Sequence, residues 1–148
     1  MFTKNNLVGV SIAAIVALSL VGCSSDNSSS SASAKNDNPL ATSDNKTACS
    51  ALRYIYSRNS GVIQDWANQA ATDLDAAKAM QTIGKNFSDI GTTASGELQT
   101  VILNVGTSYK KMYVALMNGD SGTLEAELSN ALNYATTFDT LCTSIGEK

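Results

Sequence analysis

The stretch "GTLEAELSNALNYATTFDTLCTSI", residues 122–145, decides the fold. Its apolar residues recur at alternating intervals of four and three, which places them on one face of an α-helix. They are Leu124, Leu128, Ala131, Ala135, Phe138, Cys142 and Ile145. Just upstream, the turn cluster NGDSG (118–122) offers Asp120 or Ser121 as the N-cap residue. The pattern predicts a helix from about 122 to 145 with one buried face.

Three further stripes of this kind precede that helix. One contains Leu98, Val101, Val105, Tyr109, Met112 and Leu116; a longer one contains Ile63, Trp66, Ala70, Leu74, Ala77, Met80 or Gln81, Ile83, Phe87 and Ile90. Gly84 interrupts the longer stripe and allows a bend there. The first segment runs from Asn45 to about Arg58, where NSG (59–61) is expected to stop it. No proline follows Pro39, so we predict an all-α, antiparallel four-helix bundle with short connections.

The N terminus has the layout of a secretory signal. Lys4 precedes LVGVSIAAIVALSLVG (7–22), an uncharged apolar run whose helical length of about 24 Å is short for a membrane span. Leu20, Val21, Gly22 and Cys23 follow as an aliphatic residue, a tolerant position, a small residue and a cysteine. This segment resembles the lipobox of bacterial lipoproteins. The resemblance covers residues 1–23 and implies signal cleavage before Cys23 and lipidation of that cysteine; an ordinary signal with an incidental cysteine is the alternative.

The cysteine count fits this reading, because three cysteines in an exported protein leave one thiol unpaired. Lipidation of Cys23 leaves Cys49 and Cys142, which lie on the stripes of the first and fourth helices. In an antiparallel bundle the start of the first helix and the end of the fourth meet at one end. We therefore predict a Cys49–Cys142 disulfide, which closes a loop of roughly 94 residues and contributes about 4–5 kcal/mol on the chain-entropy model.

Composition divides the chain into three parts: a signal peptide (1–22), a lipidated cysteine with a disordered Ser/Asn-rich tether (23–43), and a bundle domain (44–148). The tether has scarcely any large apolar residue, and as a coil it reaches roughly 25 Å. Loss of residues 1–22 removes Lys4, which leaves nine basic against thirteen acidic residues and a net charge of −4. The chain has no long basic run, so nucleic acid is not an expected partner.

The residue inventory disfavours most catalytic chemistry. The chain contains no histidine, and its cysteines are assigned, so His-based triads and His-ligated zinc are excluded. Asp73 and Asp75 flank Leu74, and Glu125 and Glu127 lie near a helix start; both pairs are predicted to face solvent. We expect no enzyme activity, no cofactor and no metal site.

Aromatic side chains on the flanks of the stripes are the candidate contacts for a partner. These are Tyr54, Tyr113 with Met117, and Tyr134, which have the composition of protein-binding hot spots. The alternative is that each is a partly buried tyrosine with a solvated hydroxyl.

The sequence thus predicts an extracytoplasmic protein-interaction module, held by its lipid on the outer leaflet of the cell membrane. The long tether favours a Gram-positive envelope, and the partner is expected to be an envelope or surface protein. In layout the chain resembles phage-encoded lipoproteins that block superinfection. A carrier of an apolar or lipid ligand and, less favoured, a carboxylate-based envelope enzyme are the alternatives.

Overall fold

Four helices form an all-α antiparallel bundle in the computed structural model, which describes Leu40 and residues 42–146. They are α1 (Ser43–Ala67), α2 (Asp73–Gly91), α3 (Gly96–Asn118) and α4 (Ser121–Ser144). Each helix packs extensively against the next one along the chain, whereas α1 and α4 approach each other at only a few positions. No strand occurs among the described residues. The predicted fold class is confirmed.

The prediction that NSG (59–61) ends the first helix is wrong, because α1 continues through it to Ala67. Ile63 and Trp66 extend the buried face begun by Leu52 and Tyr56, so packing against α2 outweighs the poor helix propensity of the turn-like tripeptide. Gly61 lies on the exposed side, with nothing within 4 Å of an added Cβ atom. Ile63 and Trp66, the first two residues of the longer predicted stripe, therefore belong to α1.

The break between α1 and α2 lies at residues 68–72 instead. Gln69 has a left-handed backbone, with φ of 63°. Thr72 and Asp75 then form a capping box: the Thr72 hydroxyl accepts from the Asp75 amide, and the Asp75 carboxylate accepts from the Thr72 amide. Because the register restarts here, Ala70 and Leu74 are exposed rather than buried, contrary to the predicted stripe.

The core centres on four aromatic rings from four helices. Phe87 of α2 contacts Tyr56 of α1 and Phe138 of α4 edge to face, with ring centroids 6.2 and 5.4 Å away. Tyr109 of α3 packs on Tyr56 at 6.1 Å and donates a hydrogen bond to its hydroxyl. Burial raises the pKa of both tyrosines above the ordinary value. This bond gives each of the two buried hydroxyl groups a partner inside the core.

Two facing glycines bring the backbones of α2 and α3 close together. A Cβ atom at Gly84 would lie 3.2 Å from the Gly106 carbonyl oxygen, and one at Gly106 would lie 3.2 Å from the Gly84 carbonyl oxygen. The Cγ of Lys110 and the Oγ of Ser88 close over the two sites. Gly84 is therefore a packing position in α2, where the sequence suggested a bend.

The contact between α1 and α4 is a narrow seam around the predicted disulfide. Cys49 and Cys142 are bonded at 1.98 Å and fully buried. One turn further along α1, a guanidinium nitrogen of Arg53 donates to the Asp139 carboxylate at 2.6 Å, and to the Thr143 hydroxyl at 2.8 Å. We call these contacts the α1–α4 seam. The predicted disulfide is confirmed.

The described chain enters the bundle at the end that contains this disulfide. Asn45 is fully buried there: its side-chain amide donates to the Leu40 carbonyl at 2.9 Å and accepts from the Ser95 amide at 2.9 Å. Leu40, which composition assigns to the tether, is half-buried against the core. The α1–α2 and α3–α4 connections form the opposite end, about 35 Å away along α1. None of the described helices is long and apolar enough to cross a membrane.

Candidate functional site

Cys23, the predicted lipidation site, lies outside the described residues, as do the signal peptide and most of the tether. The site predictions that the structure can locate are therefore the disulfide and the four candidate contact residues. Cys49 and Cys142 form the disulfide given above.

Tyr54 lies on the solvent face of α1 and is 60% exposed. Arg58, one turn later, holds its guanidinium carbon 5.4 Å from the centre of the Tyr54 ring and donates a hydrogen bond to the phenol oxygen. The ring is thus a flat surface covered on one side by a cation from its own helix.

Tyr113 and Met117 occupy successive turns of α3 and share a face with Val114. Tyr113 is half-buried, whereas Val114 is 52% and Met117 57% exposed. Val114 and Met117 thus form a small contiguous apolar patch, and contiguous patches mark contact surfaces more often than single exposed apolar residues do. Spacing places this row on the outer side of α3, together with Lys110.

An open groove runs between that row and α2. Its volume is about 470 Å³, and its lining consists of Gln81, Thr82, Lys85 and Asn86 from α2 with Lys110, Tyr113 and Val114 from α3. We call it the α2–α3 groove. Leu74, which is 57% exposed, shares a helix face with Gln81 and Lys85 by its spacing of seven and eleven. Leu74 and Met117 therefore extend the apolar surface toward the end opposite the chain entry.

Tyr134 belongs to a different part of the surface. It is half-buried on α4 near Lys111, whose ammonium group donates to the Glu127 carboxylate at 2.9 Å. The α2–α3 groove contains Tyr113 but neither Tyr54 nor Tyr134. The structure therefore brings Tyr113 and Met117 together and leaves the other two candidates apart from them.

Glu127 corrects one sequence expectation, because it is only 8% exposed rather than solvent-facing. Burial raises the pKa of its carboxyl, but hydrogen bonds from Lys111, Ser108 and Asn130 with the charge of Lys111 outweigh burial, and the net pKa lies below the ordinary value. The bond to Glu127 raises the pKa of Lys111 in turn. This carboxylate joins α3 to α4.

Other acidic groups near the chain turns also have identified partners. Asp73, predicted to be solvated, accepts a hydrogen bond from the Trp66 indole at 2.7 Å, which holds the α1–α2 connection. Every buried side-chain nitrogen or oxygen atom of the described residues has a hydrogen-bond partner. No group of three or more Asp, Glu or Cys side chains in this part of the chain is placed to hold a metal ion.

Sequence reasoning did not identify Leu74, Lys110 or Val114 as part of this surface, nor the four residues of α2 that line the groove. The spacing of Lys110, Tyr113, Val114 and Met117 was a usable signal, because positions i, i+3, i+4 and i+7 form one helix face. Leu74 gave no usable signal, because its exposure depends on where α2 begins.

The chain matches no protein-family model. It also matches none of the curated proteins and none of the solved structures.

Proposed function

We propose that this protein is a lipid-anchored interaction module at the cell envelope, which binds another protein through an exposed face of its bundle. The observation on which this rests is the row of exposed apolar side chains along the α2–α3 groove. The α1–α2 and α3–α4 connections, toward which that row extends, lie at the end away from the chain entry. A tether at the entry end leaves this surface accessible to a partner.

The lipid anchor is the second element of the proposal and derives from the residues that resemble a lipobox. The attached domain is extracytoplasmic, in keeping with a disulfide between Cys49 and Cys142. A Gram-positive envelope and a phage-encoded exclusion role are narrower versions of the same proposal. Nothing in the described residues favours an apolar-ligand carrier or a carboxylate-based enzyme over it.

The experiment that tests this proposal compares the full chain with its Cys23→Ala variant in a Gram-positive host. We expect the full chain in the membrane fraction, cleaved before Cys23 and with an acyl group on it, and we expect the variant to lack the acyl group and to keep residues 1–22. A full chain that carries no acyl group on Cys23 would contradict the anchor.

Cross-linking in the same cells then tests the interaction role. We expect the folded chain to form a cross-link to one envelope protein. A matched chain with Cys49→Ala and Cys142→Ala, assayed at a temperature above its unfolding midpoint, should no longer form that cross-link. Equal recovery from both chains, or recovery of no protein, would contradict a folded interaction module.

A further inference from the structure

The α2–α3 groove combines apolar surface with positive charge. Lys85 and Lys110 are the charged members of its lining, and no carboxylate is among them. Tyr113 and Val114 form its apolar wall, which Met117 extends. A surface with this lining is complementary to a ligand that presents both apolar groups and carboxylates.

The two lysines differ in how far the protein itself neutralises them. Lys85 forms an ion pair with Asp89, one turn later on α2. Lys110 has no carboxylate within salt-bridge distance among the described residues, whereas the adjacent Lys111 is paired with Glu127. The stem of Lys110 lies over Gly84, with its Cγ 2.9 Å from where a Cβ would stand. Packing against α2 therefore positions this ammonium group at the groove.

The shape of the surface selects an elongated ligand. The groove lies between two antiparallel helices. Helical spacing places the exposed side chains of Met117 and Leu74 beyond its lining, toward the end opposite the chain entry. A helix with apolar residues at intervals of three and four fits a groove of this kind, as a further member of the bundle.

We propose that the α2–α3 groove binds an amphipathic helix of a partner protein, with its apolar face on Tyr113, Val114 and Met117 and a flanking carboxylate on Lys110. This inference rests on the proposed function and specifies the partner's chemistry. A second copy of the chain is disfavoured, because symmetric contact would face the same lysines toward each other. A flat bilayer is disfavoured, because it does not fill a concave groove.

The test uses two synthetic 18-residue amphipathic helices that differ only in flanking charge. One has leucine along one face and glutamate on its flanks, and the other has lysine in place of each glutamate. The test uses residues 24–148 labelled with ¹⁵N, which include every core residue of the described part of the chain, from Leu40 to Ile145. We expect the acidic peptide alone to shift backbone amide signals, and the shifted amides to line the groove.

Matched variants test the assigned contacts. Lys110→Glu is expected to weaken binding of the acidic peptide about tenfold, and Val114→Glu by a similar factor, since both place a like charge against it. Both sites are exposed, so the amide spectrum should stay that of the folded chain. Lys46→Glu makes the same charge change on α1 and should leave the affinity within about twofold.

Several outcomes would overturn the proposal: equal binding of both peptides, no binding of either, or shifts confined to another face. Binding to phosphatidylglycerol vesicles that Lys110→Glu abolishes, with no peptide binding, would assign the groove to membrane. A dimer in sedimentation that Val114→Glu dissociates would assign it to a second copy. An envelope partner whose cross-linking is unaffected by Lys110→Glu would preserve the proposed function and refute the groove as its site.

Discussion

The α1–α4 seam and the α2–α3 interface hold helices together in opposite ways. At the seam the helices touch at few positions, and a disulfide with the Arg53 contacts joins them. At the interface Gly84 and Gly106 let the backbones approach, and contact is extensive without a covalent link. The first and last helices of the bundle thus depend on specific bonds, whereas the middle pair depends on close packing.

Removal of the disulfide is expected to lower the free energy of unfolding more than any other change at these two contacts. Cys49→Ala with Cys142→Ala keeps the positions apolar but frees a loop spanning 93 positions, and should lower the free energy of unfolding by about 4 kcal/mol. Urea denaturation of the oxidised chain and the double variant measures this. Hydrogen exchange should quicken most in α1 near the seam. Uniform loss of protection in all four helices would contradict a localised clamp.

Filling the glycine contact should have the next largest effect. Gly106→Val places atoms against the Ser88 amide and the Gly84 carbonyl, and overpacking of this kind costs about 3 kcal/mol. Gly61→Val is the matched control, since nothing lies within 4 Å of its Cβ position. Thermal unfolding should show a large decrease for the first and little change for the second. Equal effects would show that helix propensity, not close approach, governs both positions.

The polar part of the α1–α4 seam should contribute less than its disulfide. Arg53→Met keeps the apolar stem and removes the hydrogen bonds to Asp139 and Thr143, at a cost of about 1 kcal/mol because the ion pair is partly exposed. A double-mutant cycle with Asp139→Asn isolates the pair. A coupling energy near zero would contradict a stabilising ion pair and would leave the disulfide as the main stabilising contact of the seam.

Acid should weaken the contact between α3 and α4 through Glu127. The pKa of this carboxyl is lowered in the folded state, so its contribution is present above the unfolded value of 4.5 and is lost as pH falls below it. Glu127→Gln should therefore flatten the decline of stability between about pH 5 and pH 3. Urea midpoints across that range, compared with those of Glu125→Gln on the exposed face, measure the difference. Parallel curves for the wild type and Glu127→Gln would contradict the assignment.

The sequence predicted α3, α4 and the disulfide because their signals are local and repeated. The apolar residues of α4 alternate at intervals of four and three from Leu124 to Ile145, over about six turns. The glycines and capping residues at 118–122 mark the boundary between α3 and α4. Gly119 ends α3 in the left-handed conformation that such a cluster favours. The boundary between α1 and α2 was misplaced because NSG is a stronger local turn signal than NQAAT (68–72). Only the packing of Ile63 and Trp66 against α2 shows that the helix continues.

The candidate site was predicted only in part, because contacts between helices cannot be inferred from the spacing along one helix. Tyr113 and Met117 could be identified from their positions beside the apolar stripe of α3. The role of Lys110 depends on α2, because its stem lies against Gly84 of the neighbouring helix. Tyr54 and Tyr134 also flank their stripes, yet they lie away from the α2–α3 groove. Spacing gives the face of each helix but not which helix adjoins it.

The sequence by itself determined the all-α class and the disulfide pair, since periodicity and cysteine position are properties of the chain alone, whereas lipidation of Cys23 stays a prediction. Tertiary structure decided where α1 ends, which acidic group is buried, and which exposed residues form one surface. Those features depend on contacts between helices distant in sequence. Burial of an apolar face can outweigh a local turn signal, and the approach of Gly84 to Gly106 determines how α2 and α3 form the groove.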